Sequence, residues 1–189
     1  LSLFNWAKFR TTKGAVKLHV KLNHAGYLPT FMTVTTGKVH EQRIAPKIPL
    51  EKGDVVVMDR GYTDFAWFAT LCQRGTYFVT RLKCNAHYRV LERRDVSHLL
   101  SIRSDQVIEF KGFYSNKKLP YRLRRIHARD PQTGKRVILL TNHMSWSAAT
   151  IAAIYKDRWQ IDLFFIAIKQ QLKVKCFVGT SANALLSQL

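Results

Sequence analysis

Asp59 lies where a carboxylate could do chemistry. It directly follows a largely apolar run, residues 54–58, with the length and composition of a strand covered on both faces. Folds of the α/β class place functional groups at the carboxyl edge of such strands. An Asp that opens a strand-to-helix turn is more often a cap than a catalyst, so Asp59 taken alone leaves both interpretations open.

A second acid belongs to a set of four polar residues, Tyr155, Arg158, Asp162 and Lys169. They are separated by three, four and seven residues, which places them within an arc of roughly 60° on a helix turning about 100° per residue. The apolar face beside this ridge consists of Ile154, Ile161, Phe164, Phe165, Ile168 and Leu172. The ridge is either a functional face or a solvated row of ion pairs.

The segment around Asp59 predicts a strand, an acidic turn, a helix and a second strand. Thr63 can cap the helix, and Gly75 can end it. The second strand covers residues 76–82. Two strands joined by a helix favour a parallel pair, and therefore an α/β fold.

The remaining elements follow from periodicity and turn residues. Alternation over residues 15–22 and the aromatic and β-branched content of residues 27–36 predict a hairpin. A short helix is expected around residues 40–46. Apolar periodicity from Ser147 to about residue 172 predicts one unbroken helix with Ser147 as its N-cap.

A β-rich segment separates the two regions that carry the acids. Residues 88–141 predict short basic strands. The strands named by the pattern are 106–110, 121–128 and 136–140. Turns are predicted at residues 115–118 and 130–134.

The composition favours a polyanionic partner. The 189 residues contain 31 Lys and Arg against 12 Asp and Glu, a formal charge of +19, and 47% of them are hydrophobic. One domain with a sizeable core and a nucleic-acid partner is the first expectation. A ribosomal or membrane-surface role remains open on charge alone.

Cysteine usage and hydropathy predict a soluble, intracellular protein. The three cysteines, Cys72, Cys84 and Cys176, are odd in number and widely spaced, so we expect them to be reduced and buried. No membrane span or signal peptide is evident. The chain opens at Leu1, and residues 181–189 resemble a helix cut short, so we expect a longer natural protein.

The spacing Tyr-x2-Arg-x3-acid-x6-Lys, from Tyr155 to Lys169, resembles the signature of the transposase family founded on insertion sequence four. In that family the acid is the last member of an Asp-Asp-Glu triad. Residues 55–62, Val-Val-Val-Met-Asp-Arg-Gly-Tyr, resemble the block that holds the second Asp. Further segments match in order, at residues 6–10, 13–19, 37–40 and 177–181.

The resemblance implies an RNase H-like fold. In this fold a mixed sheet is flanked by helices, and a β-rich insertion precedes the last catalytic helix. Residues 1–87 would form the first part of the core without its first strand, and residues 88–141 the insertion. Residues 142–189 would hold the catalytic helix and a truncated C-terminal helix.

The resemblance also implies a chemistry and its residues. Asp59 and Asp162 would hold Mg2+ or Mn2+ for DNA strand cleavage and transfer, a task that suits carboxylates because these are hard ions. Tyr155, Arg158 and Lys169 would contact phosphates. The partners would be double-stranded DNA, as transposon ends and as target, in the bacterial cytoplasm and away from membranes. A parent that is dimeric on paired ends fits the resemblance.

Two departures from the family pattern bear on activity. Asp162 stands where the family usually has Glu, which draws the carboxylate back by roughly 1.5 Å. No acidic residue precedes Glu41, so the first triad position has no counterpart in this sequence. We therefore expect these 189 residues alone not to cut DNA.

Two alternatives remain beside the enzyme. Asp162 motivates a decayed, inactive transposase that acts at most as a basic DNA-binding module. The charge and the aromatics among the basic residues motivate an RNA-binding protein.

Overall fold

The computed structural model describes residues 8–10, 13–14, 16–97, 99–111, 118–129 and 134–171. The chain divides into two compact units, one of residues 50–158 and one that combines residues 1–49 with 159–189. The strands are β1 (Lys8–Arg10), β2 (Lys13–Gly14), β3 (Val16–Leu22), β4 (Pro29–Thr36), β5 (Val55–Val57), β6 (Tyr77–Arg81), β7 (Tyr88–Arg94), β8 (Ile102–Phe110), β9 (Leu123–Arg129) and β10 (Arg136–Thr141). The α-helices are α1 (Glu41–Ile44), α2 (Phe65–Gln73), α3 (Ala148–Lys156) and α4 (Trp159–Gln171).

The unit of residues 50–158 is built on one six-stranded sheet in the order β5-β6-β10-β9-β8-β7. β5 pairs with β6 in parallel, and the other four pairs are antiparallel. The sheet is therefore mixed, as predicted. The strands of the predicted insertion, β7 to β10, belong to this same sheet.

Helices cover both faces of the sheet. On one face α3 places Ile151 among fully buried side chains of the sheet, including Val79, Ile126 and Leu139. On the other face Phe68 of α2 stacks on Phe78 of β6, with ring centroids 4.2 Å apart. Because side chains alternate along a strand, Phe78 packs on the face covered by α2 and the next residue, Val79, packs on the face covered by α3. The predicted α/β class, a mixed sheet flanked by helices, is confirmed.

The helix after Asp59 begins one residue later than predicted. Asp64, rather than Thr63, is its N-cap, and the Asp64 carboxylate accepts a hydrogen bond of 2.9 Å from the Trp67 amide. Gly75 has a φ of +68°, a conformation that favours glycine, and it follows the end of α2 as predicted.

The predicted long helix is interrupted. Ser147 is the N-cap, as predicted, and accepts a 3.0 Å hydrogen bond from the Thr150 amide. Helix α3 then ends at Lys156, and α4 begins at Trp159. At the break the Arg158 amide donates to the Tyr155 carbonyl, a bond three residues back rather than four. The prediction of one unbroken helix was therefore wrong.

Strand β5 is less covered than predicted. It is the terminal strand in the described sheet order, and its three valines are only partly buried. The next residue, Met58, is buried, and its amide donates to the Val79 carbonyl at 3.0 Å. The expectation of a strand buried on both faces was wrong, because all three valines of β5 are only partly buried.

The other unit contains the predicted hairpin and short helix. Strands β3 and β4 pair antiparallel, with Val16 opposite Thr36. Lys17 of β3 forms a 3.0 Å ion pair with Glu41 in α1. Helix α4 belongs to this unit and exposes large apolar side chains, among them Trp159, Leu163 and Ile166.

Several smaller predictions have mixed outcomes. Cys72 is half-buried, but Cys84 is exposed, so the expectation of burial was wrong for Cys84. Both are free thiols. Cys176 and the helix predicted at residues 181–189 lie outside the described residues, as does most of the two turns predicted at 115–118 and 130–134. In the described part, no helix is long and apolar enough to cross a membrane.

Candidate functional site

The carboxyl ends of the parallel strands β5 and β6 bring Asp59 and Arg81 together. Val57 is opposite Val79 in the register. Asp59 lies two residues after Val57, and Arg81 lies two residues after Val79. Side chains two positions apart point to the same face of a sheet. Asp59 and Arg81 therefore lie on the face that α3 covers, at the edge where both strands end.

The Asp59 carboxylate is not used by the fold. Its residue precedes a 3-10 helix, Arg60–Tyr62, but the side chain makes no capping hydrogen bond. The Tyr62 amide is satisfied instead by the Asp59 backbone carbonyl, at 3.1 Å. The side chain is exposed, and among the described residues no hydrogen bond or ion pair engages it. The alternative interpretation of Asp59 as a side-chain cap is therefore wrong.

Tyr155 brings helix α3 to the same edge. Its ring packs with Val55 and Val57 against the core under α3, and its hydroxyl is buried without a hydrogen bond of good geometry. Burial raises the pKa of the Tyr155 phenol, the charges of Arg158 and Arg81 oppose that rise, and the Asp59 carboxylate adds to it. These interactions place one carboxylate, two guanidinium groups and a phenol in one cluster.

We call this cluster, Asp59, Arg81, Tyr155 and Arg158, the β5–β6 site. Sequence analysis identified three of its members and missed Arg81. A signal for Arg81 existed. Two parallel strands end at one edge, so the last charged residue of the second strand is a candidate neighbour of the acid that follows the first.

Comparisons with known proteins identify the family of this chain. The model of the family described as "Transposase DDE domain" matches residues 5–184. The chain belongs to this family. It is 32% identical over 191 residues to "Putative transposase y4zB" of Sinorhizobium fredii, an alignment that covers 99% of this chain and 53% of that protein. It is 30% identical over 186 residues to "Probable transposase for insertion sequence element IS5377" of Geobacillus stearothermophilus, covering 97% and 48%. The chain thus spans about half the length of both relatives.

The letters DDE in the family name refer to acidic residues. Within residues 50–158, Asp59 is the candidate for one of these acids. Asp162 and Lys169, the other two predicted site residues, lie on α4 in the other unit. Asp162 is in the first turn of α4 and half-buried, a position where a negative charge is stabilised by the helix dipole. The side chain of Lys169 lies outside the description. Their place beside Asp59 stays a prediction.

The metal that a DDE domain implies can be tested against donor chemistry. A carboxylate that is exposed and has no hydrogen bond or ion pair within the described part of the chain, as in Asp59, suits a hard divalent cation. Among the residues that the structure describes, no three His, Cys, Asp or Glu side chains form a group that could hold a metal ion. The chemistry of the Asp59 side chain therefore fits one ligand of a divalent cation.

A second pair of Asp and Arg, on the same sheet, serves the fold. Asp105 of β8 and Arg124 of β9 are buried and joined by two hydrogen bonds, the longer of them 2.8 Å from Arg124 Nε to Asp105 Oδ1. Arg124 also donates to the backbone carbonyls of His143 and Trp146, which lie between β10 and α3. This pair therefore fixes the segment that leads into α3, and sequence analysis singled out neither of its two residues.

Proposed function

We propose that this chain is the part of an insertion-sequence transposase, of the family founded on insertion sequence four, that carries two of three catalytic carboxylates. The parent protein would cleave DNA strands and transfer them in the presence of Mg2+ or Mn2+. The observation that carries the proposal is the exposed Asp59 carboxylate, which has no hydrogen bond or ion pair among the described residues and lies near Arg81, Tyr155 and Arg158. Membership of the transposase DDE family supports the same reaction.

In this proposal Asp59 and Asp162 hold the metal ions, which would activate the attacking oxygen and stabilise the leaving one. The residues of the chain itself supply positioning. Arg158 presents a planar fork that can contact two phosphate oxygens at once. Tyr155 is held against the core by packing, and its buried hydroxyl would contact a phosphate only after a local movement of the side chain. Lys169 would add a third phosphate contact.

The substrate is proposed to be duplex DNA at the transposon ends and at the target. The +19 charge supports strong, salt-sensitive binding to phosphates. An enzyme of this kind acts on the chromosome, so the bacterial cytoplasm is the proposed location. The parent would assemble as a dimer if it acts on paired ends.

The test uses the full-length protein that contains this chain, with DNA carrying the ends of its element and Mg2+ or Mn2+. We expect nicking by the natural protein and none by Asp59→Asn. Glu51→Gln, which neutralises an exposed acid near the amino end of β5, is the matched control and should cut normally. Equal cutting by natural protein and Asp59→Asn would exclude Asp59 as a metal ligand.

The alternative function is a decayed transposase that only binds DNA, and the observation that favours it is Asp in place of Glu at position 162. Comparison of the natural protein with Asp162→Glu separates the two. Cutting by both proteins shows that Asp is an acceptable third ligand. Cutting by Asp162→Glu alone shows a decayed enzyme.

A further inference from the structure

Three arginines continue the edge of the sheet at which Asp59 lies. Arg136 begins β10, Arg129 ends β9, and Arg103 is the second residue of β8. All three side chains are exposed. We call these three residues the arginine edge.

Strand register connects the arginine edge with the β5–β6 site. Leu139 of β10 is opposite Arg81, and Arg136 lies three residues further toward the same edge, so its side chain points to the face of the sheet opposite that of Arg81. Arg136 is in turn directly opposite Arg129, whose amide donates to the Ser101 carbonyl at 2.7 Å. The positive charges therefore follow one edge across adjacent strands.

The arrangement costs stability and therefore needs a reason. Arg129 and Arg136 are a directly opposed pair of like charges on neighbouring antiparallel strands, which is destabilising. The ion pairs described within residues 50–158 are Arg89–Glu109, Arg94–Glu92 and Arg124–Asp105. None of them neutralises the arginine edge.

The field of these arginines is felt by the side chain between them. His127 lies on β9, opposite Ser104 of β8 and Ile138 of β10. Burial lowers the pKa of His127, and the charges of Arg125, Arg136 and Arg103 lower it further. Among the described residues, the edge is thus a region of positive potential that acts on His127.

The dimensions suit duplex DNA. From β5 to β8 there are four steps between adjacent strands in the sheet order, which amount to about 19 Å at roughly 4.8 Å per step. At about 3.4 Å per base pair, that length corresponds to five or six base pairs, roughly half a turn of duplex. A duplex that enters the β5–β6 site and crosses the strand ends can therefore reach the arginine edge, whose Arg129 and Arg136 side chains point to the opposite face of the sheet.

We infer that the arginine edge binds the phosphate backbone of the duplex flanking the position where Asp59 acts. This inference rests on the proposed function, because it takes the nucleic acid to be the DNA that is cut. Arg103, Arg129 and Arg136 contact phosphates and read no bases, so the surface holds any sequence. It adds affinity outside the β5–β6 site and takes no part in bond breaking.

The test compares two doubly substituted proteins with the same change in charge. Arg129→Gln with Arg136→Gln removes two charges of the arginine edge. Lys52→Gln with Arg74→Gln removes two exposed charges near the amino ends of β5 and β6. Both are made in the full-length protein and titrated with labelled duplex over a range of salt concentrations.

We expect the edge variant to bind duplex at least about tenfold more weakly at 0.1 M salt, with a logarithmic salt slope reduced by roughly 1.8, the value for two phosphate contacts. Its thermal unfolding midpoint should stay the same or rise, because the opposed charges are gone. The control variant should bind almost as tightly as the natural protein. Arg129→Lys with Arg136→Lys should retain most of the affinity, since charge is what matters.

Equal weakening by the edge and control variants would overturn the inference, because it would show an effect of total charge alone. The inference would also be overturned if the edge variant bound structured RNA more weakly but bound duplex DNA normally. If the edge variant binds normally while Asp59→Asn still abolishes cutting, the inference fails and the proposed function stands. If the Asp59→Asn variant still cuts DNA, the proposed function fails.

Discussion

The six-stranded sheet carries two aspartates near arginines, and they are treated in opposite ways. Asp105 is 4% exposed and Arg124 is 2% exposed, and each satisfies the other within the core. Asp59 is exposed at the end of β5. The charges of Asp59 and Arg81 both act on the Tyr155 phenol, but no ion pair joins the two residues. Both sites hold an aspartate near an arginine, but of these two carboxylates only that of Asp59 is accessible to a ligand.

Solvation explains this difference. A buried charge must be paired, because desolvation costs several kcal/mol per ion. An exposed carboxylate at the sheet edge keeps its water and can exchange that water for a metal ion. The pairing of Asp105 therefore indicates a structural role, and the exposure of Asp59 supports the functional role proposed for it.

The largest expected effect is on catalysis at Asp59. Asp59→Asn keeps the shape of the side chain but removes the charge that a metal ion requires. We expect DNA cleavage by the full-length protein to fall by about a thousandfold or more, on the scale of lost electrostatic catalysis. The midpoint of urea unfolding should not change, since the fold does not use this carboxylate. A large loss of stability would show that Asp59, like Asp105, has a structural role, and would contradict the comparison between them.

The next largest effect is on stability at Asp105. Asp105→Asn leaves the Arg124 guanidinium buried without a counter-charge, so the free energy of unfolding should fall by about 3–5 kcal/mol. Urea unfolding followed by circular dichroism measures it. Replacing both partners, with Asp105→Leu and Arg124→Met, should recover part of the loss. Recovery should be incomplete, because the carbonyls of His143 and Trp146 lose their donor.

The sequence predicted the elements around Asp59 well, because their signals are local. Residues 54–58, Gly75 and the strand at 76–82 each carry their own pattern, and the parallel pairing follows from the intervening helix. The break between α3 and α4 has no such signal. Ile154 and Ile161 are seven residues apart, so the apolar period continues across the interruption.

Long-range pairing explains the other residues that were missed. Arg124 and Asp105 are nineteen residues apart, and only the register of β8 against β9 brings them together. Arg81 joins the β5–β6 site through the register of β5 against β6. The opposed Arg129 and Arg136 depend on β9 against β10. Composition shows that arginine is abundant, but register decides which arginines are buried, paired or exposed.

Substitution of Arg81 sharpens the comparison at a smaller scale. The side chain is exposed, so Arg81→Gln should change the free energy of unfolding by less than about 0.5 kcal/mol. DNA cleavage should fall by about tenfold, because one charge near the reacting phosphate is lost. Arg89→Gln, an exposed arginine in an ion pair with Glu109, is the control and should leave cleavage unchanged. Normal cleavage by Arg81→Gln would exclude Arg81 from the site.

The smallest effect is a pH dependence of stability that comes from the buried network. His143 is buried, its ring is stacked on Trp146 with centroids 4.1 Å apart, and its Nδ1 accepts a hydrogen bond from the Trp146 amide. Burial lowers the pKa of His143, and the charge of Arg124 lowers it further. The folded protein therefore favours the neutral ring, whereas the unfolded chain takes up a proton near pH 6.5.

Stability should consequently fall as the pH drops below about 6.5, by at most about 1.4 kcal/mol per pH unit for this one proton. Urea unfolding at pH 7 and pH 5 measures the difference. His143→Gln should be less stable at pH 7 but should show a smaller decrease at pH 5. Some decrease should remain, because burial also lowers the pKa values of His19 and His127. The exposed His87→Gln is the control, and an equal pH response in both variants would show that the network around Arg124 does not exclude the charged ring.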